Sequence, residues 1–112
     1  MAGWEKQAAL NENVARDLNE GIEAAHEEAG REGYVPMLCE CGEADCEHVV
    51  PMTLEEYEAV REDPRRFAVA PEHVVAPIDR VVGDVGRFLV VEKRPGVPAT
   101  VAKDEDPRQT DE

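Results

Sequence analysis

The sequence predicts an α+β fold: a long N-terminal helix, then a small zinc-stabilised domain of short strands, one capped helix and a C-terminal β-hairpin. Three observations carry this. Apolar or small side chains recur at three-and-four spacing through residues 4–29, the period of one helical face. Residues 53–94 alternate a helix-start signal with short β-branched runs. All three cysteines fall within "LCECGEADCEHVV", residues 38–50.

At 112 residues the chain has the length of one domain. We expect the N-terminal helix over 1–30, the zinc-binding α+β domain over 31–94 and a disordered acidic tail over 95–112. The first helix, "WEKQAALNENVARDLNEGIEAAHEEA", shows its stripe at Trp4, Ala8, Ala15, Leu18, Ile22, Ala25 and Ala29, with Asn11 inside it. About 26 residues at 1.5 Å rise reach roughly 39 Å, longer than so small a domain is wide. The helix is therefore expected either to project and pair with another copy or a partner, or to pack on its own domain with Asn11 at the solvent edge. Gly30 and Gly33 end it, since glycine accepts the left-handed conformation found just past helix C-termini.

"YVPML" and "HVVPM" bracket the cysteines as short extended pieces. "TLEEYEAVRED" carries Thr53 as N-cap with Glu56 three residues on, a capping box, and Leu54, Tyr57 and Val60 on one face. Asp63-Pro64 closes that helix. "RFAVA", 66–70, is a strand; "IDRVV" and "RFLVVEK" form a hairpin joined by "GDVG" at 83–86. The proline-rich, charged stretch from Pro95 predicts disorder.

The charge balance bounds the function. There are 26 acids against 12 bases, a formal net charge of −14. Such a surface repels nucleic acid and anionic membranes, which bind through Lys and Arg. The one basic cluster, Arg61, Arg65 and Arg66, sits at the end of the capped helix, where interaction with the helix C-terminus and neighbouring acids accounts for it. The start lacks a basic segment followed by an apolar one, so no secretory signal and a cytoplasmic location are expected. In that compartment clustered thiols bind metal more often than they pair.

Cys39, Cys41 and Cys46 form C-x-C-G-x3-C, with Gly42 where a tight turn must swing the third sulfur toward the first two. Such a knuckle suits a tetrahedral ion accepting thiolates, with zinc the default. A Cys39–Cys41 disulfide is strained by its short separation and leaves Cys46 odd. A redox pair needs low-pKa thiols, whereas the interleaved Glu40, Glu43, Asp45 and Glu47 are expected to push thiol pKa values up.

A fourth ligand is needed. His26 reads as a solvated helix residue. His48 lies two positions beyond Cys46 and chelates locally; His73, in "VAPEH", would close a loop of about 26 residues and fold in the elements between. Spacing leaves both open. Three thiolates plus an imidazole fill the tetrahedron and leave no position for water, so the site reads as structural. A labile ligand would instead make it a zinc enzyme or a thiol-based redox sensor. No H-E-x-x-H or zinc-deaminase signature is present. No catalytic residue is assigned.

The stretch "CECGEADCEHVVPMTLEEYEAVREDPRRFAVAPEH", with "DRVVGDVGRFLVVEK", resembles a family of short uncharacterised bacterial proteins common in actinobacteria. These share a C-E-C-G-x3-C segment, an L-T-L-x-E-Y-E-x-V-R helix, an R-F-x-V-A-P-G-H turn and a V-V-E-K strand. "NENVARDLNEGIEAAHEE" and "EDPRQ" are similar to the family's first helix and its ending. The resemblance implies no activity. It does imply His73 as the fourth ligand beside Cys39, Cys41 and Cys46, because the turn histidine belongs to the pattern while the position of His48 commonly holds another residue type. The chain departs from the pattern at Glu72, where the family has glycine.

Overall fold

The computed structural model describes residues 3–30, 33–43 and 45–108. It opens with helix α1, Gly3–Glu28, followed by strands β1, Val35–Leu38, and β2, Val49–Met52, which pair antiparallel with Val35 opposite Met52 and Leu38 opposite Val49. Alternation sends Val35, Met37, Val50 and Met52 into the core and leaves Pro36, Val49 and Pro51 outside. Between the two strands lies the cysteine loop.

Helix α2, Leu54–Val60, starts as its sequence dictates. Thr53 Oγ1 accepts from Glu56 N at 3.1 Å, and Glu56 Oε1 accepts from Thr53 N at 2.9 Å. Tyr57 and Val60 are buried and Leu54 partly so. Strands β3, Arg66–Val69, β4, Asp79–Asp84, and β5, Leu89–Lys93, form an antiparallel sheet in the order β3-β5-β4. The hairpin turns later than expected: Gly83 and Asp84 belong to β4, Gly83 lies beside a bulge following Val81, and Val85 N bonds Phe88 O at 3.0 Å across the tip. Phe67, Val69, Phe88 and Val91 join Tyr57, Met37 and Met52 in the core.

Two expectations are corrected. Residues 95–108 are not a disordered tail, since Val97–Asp104 form helix α3 packed on α1. Pro98 in the first turn costs no hydrogen bond there, and Ala99 and Ala102, one turn apart, are both buried. Beyond the helix, Asp106 accepts from buried Arg61, while Arg108 bonds Glu20, Glu23 and Glu58. Residues 109–112 of the expected tail lie outside the described residues.

The second correction concerns α1. It packs on its own domain, but mainly through polar side chains: of the expected apolar stripe Ile22 packs partly buried against the core and Ala8 and Ala15 are half-buried, while Trp4 and Leu18 are exposed. The buried side chains are Ala9, Glu12, Asn13, Arg16, Asn19 and Glu23, while Trp4, Val14 and Leu18 are 48%, 59% and 54% exposed. Within α1, Glu5, Ala8 and His26 are half-buried on either side of this buried run. The partners opposite α1 explain the inversion, because they are polar. Arg16 donates to the carbonyls of Pro64 and Arg66 and lies 3.7 Å above the Phe67 ring. Lys93 bonds both Glu12 and Asp79, all three fully or nearly fully buried. Asn11, expected at the edge, is part-buried and donates to Gly42 O at 3.0 Å.

Candidate metal centre

The site begins where β1 runs on past Leu38. Cys39 N still donates to His48 O at 3.1 Å, extending the β1–β2 ladder, and Glu40 N donates to Ala68 O at 2.9 Å, tying the segment to β3. Along an extended chain, neighbours point to opposite sides. Cys39 and Cys41 therefore face the site while Glu40 faces the core, where it is fully buried. Its carboxylate accepts from Asn19 Nδ2 at 2.8 Å and Ala68 N at 3.0 Å, and Asn19 also exchanges hydrogen bonds with both backbone groups of Leu38. Burial raises the Glu40 pKa, opposed chiefly by Arg16.

Gly42 then reverses the chain with φ of +85°. A Cβ there would come within 3.1 Å of Ala8 O and Glu12 Cγ, so the turn presses directly on α1. A turn from Glu43 to Cys46, closed by a 3.1 Å bond between Cys46 N and Glu43 O, returns the third sulfur. His73 arrives from the end of β3 on a second turn, its N–H donating to Ala70 O at 2.9 Å. Ala70 N in turn donates to Cys39 Sγ at 3.2 Å.

The four donor atoms of Cys39, Cys41, Cys46 and His73 lie within 4.8 Å of one another, and the group is positioned to hold a metal ion. His73 Nδ1 is 3.4 Å from Cys39 Sγ and 3.5 Å from Cys46 Sγ. A tetrahedron with metal–sulfur bonds of about 2.3 Å and a metal–nitrogen bond of about 2.05 Å has S···N edges of roughly 3.6 Å, so His73 stands at a ligating separation from these two sulfurs. His48 is near one sulfur only, 3.9 Å from Cys46 Sγ, and outside this set. His26 is elsewhere, its Nδ1 2.9 Å from Ile22 O on its own helix.

The electrostatics follow from crowding. The Cys41 thiol is held low, at about 4, first by its hydrogen bond with Cys39 and against burial. Cys39 is pushed up by Cys41 and by burial, and Cys46 is pushed up chiefly by burial. These causes are sulfur neighbours and desolvation, not the interleaved acids: Glu40 points away into the core, and no carboxylate is among the main causes for any of the three thiols.

Arg61, Arg65 and Arg66 do not form a free basic patch. Arg61 is buried against Glu20 and Asp106, Arg65 binds Asp63, and Arg66 binds Glu92. Glu40, Asn19 and Glu12 are the site-supporting residues that sequence reasoning missed. The C-E-C spacing held the signal for the first: if residues 39 and 41 face an ion, residue 40 must face away from it. No family model matches the chain, and neither a curated protein nor a solved structure matches it.

Proposed function

We propose that the protein is a small zinc-binding protein whose Cys39, Cys41, Cys46 and His73 form a closed structural site, and that it acts as a non-enzymatic binding or adaptor protein. The observation that carries this is the convergence of four soft or borderline donors, from the end of β1, the Gly42 loop and the turn after β3, within 4.8 Å of one another. Four protein ligands leave no place for a substrate or water. When bound, the ion would join the loop, β1 and the end of β3, thereby supplementing a small core. The reading fits a cytoplasmic protein with reduced thiols and the resemblance to the C-E-C-G-x3-C family. No helix among the described residues is long and apolar enough to cross a membrane.

The outer stripe of α1, with Trp4, Val14 and Leu18 exposed, is the surface we assign to the partner. A net charge of −14 opposes pairing of two copies and favours a protein partner bearing Lys and Arg beside its apolar contacts. The same charge, and the internal pairing of Arg61, Arg65 and Arg66, speak against nucleic acid.

Metal analysis of the purified protein tests the site. Near-stoichiometric zinc is expected, lost in Cys41→Ser, with chelator lowering the melting temperature of the wild type. Metal-free protein that melts cooperatively and unchanged in chelator would overturn the reading. Light scattering tests the partner assignment, since a stable dimer dispersed by Leu18→Glu would replace it with self-association.

A further inference from the structure

The four-donor group is buried on one side and open on the other. Cys39 and Cys41 are buried, whereas Cys46 and His73 are half-buried. Those two line an open cleft of about 440 Å³ together with Glu43, Asp45, Glu47 and His48. The edge between Cys46 and His73 is thus one approach for a competitor, beside a smaller cleft of about 230 Å³ at Cys41 and His73.

His48 stands at that edge. Its backbone is fixed at the mouth of β2 by the bond its carbonyl accepts from Cys39 N, but its side chain is exposed. The ring stands edge to face against His73, with centroids 4.4 Å apart and an interplanar angle of 77°. Its Nδ1 is 3.9 Å from Cys46 Sγ, against 3.5 Å for His73 Nδ1. There are thus five donors for four positions, the fifth standing at the edge of the group beside Cys46. A side-chain rotation about an anchored Cα is the motion it requires.

We propose that His48 is a reserve ligand, which closes the site whenever His73 lets go. The proposal rests on the metal-site reading above. The exchange breaks one metal–nitrogen bond, to His73, and forms another, to His48. Both imidazoles bind as neutral donors, so charge, proton count and oxidation state are unchanged. A tethered donor a few ångströms away has a high effective concentration and competes for the vacated position against water or an external chelator. The carboxylates of Glu43, Asp45 and Glu47 favour the cation at the same edge. Sequence spacing presents His48 and His73 as alternatives; the geometry points to both, in succession.

Cobalt(II)-loaded full-length protein tests this, with X-ray absorption reading imidazole scattering and stopped-flow mixing with EDTA reading release. We expect His73→Ala to keep a tetrahedral cobalt spectrum with one imidazole, and His73→Ala/His48→Ala to lose the imidazole. In the wild-type background His48→Ala should bind the same amount of cobalt yet release it to EDTA several-fold faster. The proposal is overturned if His73→Ala and the double variant carry the same imidazole-free centre, or if His48→Ala releases cobalt at the wild-type rate. The second measurement holds even where loss of His73 prevents folding. Wild-type protein that shows no thiolate-to-cobalt charge transfer would sink the metal-site reading itself, a separate outcome.

Discussion

The two faces of α1 reverse the usual distribution of polarity. The face turned inward carries Glu12, Asn13, Arg16, Asn19 and Glu23, all buried; the face turned outward carries Trp4, Val14 and Leu18, each about half exposed or more. Strands β1, β2 and β3 and helix α2 follow the ordinary rule, with Met37, Met52, Tyr57 and Phe67 in an apolar core, while the β4–β5 edge supplies the buried Asp79 and Lys93 that face α1. The difference separates two tasks. Apolar packing is non-directional and tolerates rearrangement, whereas charges and amides fix where a helix may sit, because a shift of one residue leaves them unpaired. The inner face of α1 therefore specifies its docking position, and with it the floor under Gly42 and the cysteine loop.

The largest effect expected on this comparison comes from Lys93→Met. It removes the only positive charge bonded to Glu12 and Asp79 among the described residues. Breaking a buried charge group by deleting one partner costs about 3–5 kcal/mol, so urea denaturation should show a loss of that size. A combined replacement of all three residues by apolar ones of similar volume should recover much of it. If Lys93→Met alone is neutral, the inner face is not what seats the helix.

Asn19→Leu comes next, and it goes against hydrophobic intuition by adding apolar volume to a buried helical position. It removes the donor to Glu40, the donor to Leu38 O and the acceptor for Leu38 N. Leaving such buried groups unpaired costs about 1–3 kcal/mol. Because Glu40 sits between two cysteines of the candidate metal centre, any zinc affinity should fall with stability, measurable by competition with a chromophoric chelator. A stabilised protein with unchanged affinity would show that the inner face is merely tolerated.

This contrast also marks what could be read from the sequence. The capped helix and the β1 and β2 segments were legible because local signals and burial agree: Thr53 and Glu56 cap each other, and the period-two pattern at 49–52 buries Val50 and Met52. Cys39, Cys41 and Cys46 were legible as candidates because thiols so close in sequence need little folding to converge. His73 needed the end of β3 brought to them, so spacing favoured it only slightly and left His48 open. The inner face of α1 was illegible, since a hydrophobic periodicity selects the apolar stripe whatever lies opposite. Nothing in the local sequence states that Lys93, 81 positions beyond Glu12, will neutralise it. Helix α3 was hidden for a similar reason, as a short proline-containing run acquires helical stability only by packing Ala99 and Ala102 on α1.

The buried triad also has a pH signature. Burial raises Glu12 to about 7, against the pull of Lys93, and Glu12 Oε1 has no protein partner. A carboxyl whose folded pKa lies above its unfolded value binds a proton more tightly in the native state. Its contribution is fully present below about 4.5 and is lost as pH rises through about 7. A rise of that size amounts to roughly 3 kcal/mol at most. Glu56, Asp63 and Glu58 are lowered by Arg87, Arg65 and Arg108 and act in the opposite sense, losing stability in acid. The isolating measurement is the wild type against Glu12→Gln between pH 5 and pH 8. The wild type should lose stability over that range relative to the variant, and parallel curves would show that Glu12 stays ionised throughout.

The smallest effect is expected on the outer face. Leu18→Gln replaces a side chain that is 54% exposed and belongs to a groove lined also by Val14, Leu38 and Glu43. Surface substitutions of this kind change stability by no more than about 0.5 kcal/mol. Taken with Asn19→Leu, the adjacent pair is a direct trial of the inversion: polar to apolar at 19 destabilises, while apolar to polar at 18 is silent. An ordinary amphipathic helix would give the reverse order. If Leu18→Gln costs as much as Asn19→Leu, the outer stripe is already engaged in holding the monomer together, and it is not the free surface that partner binding through α1 requires.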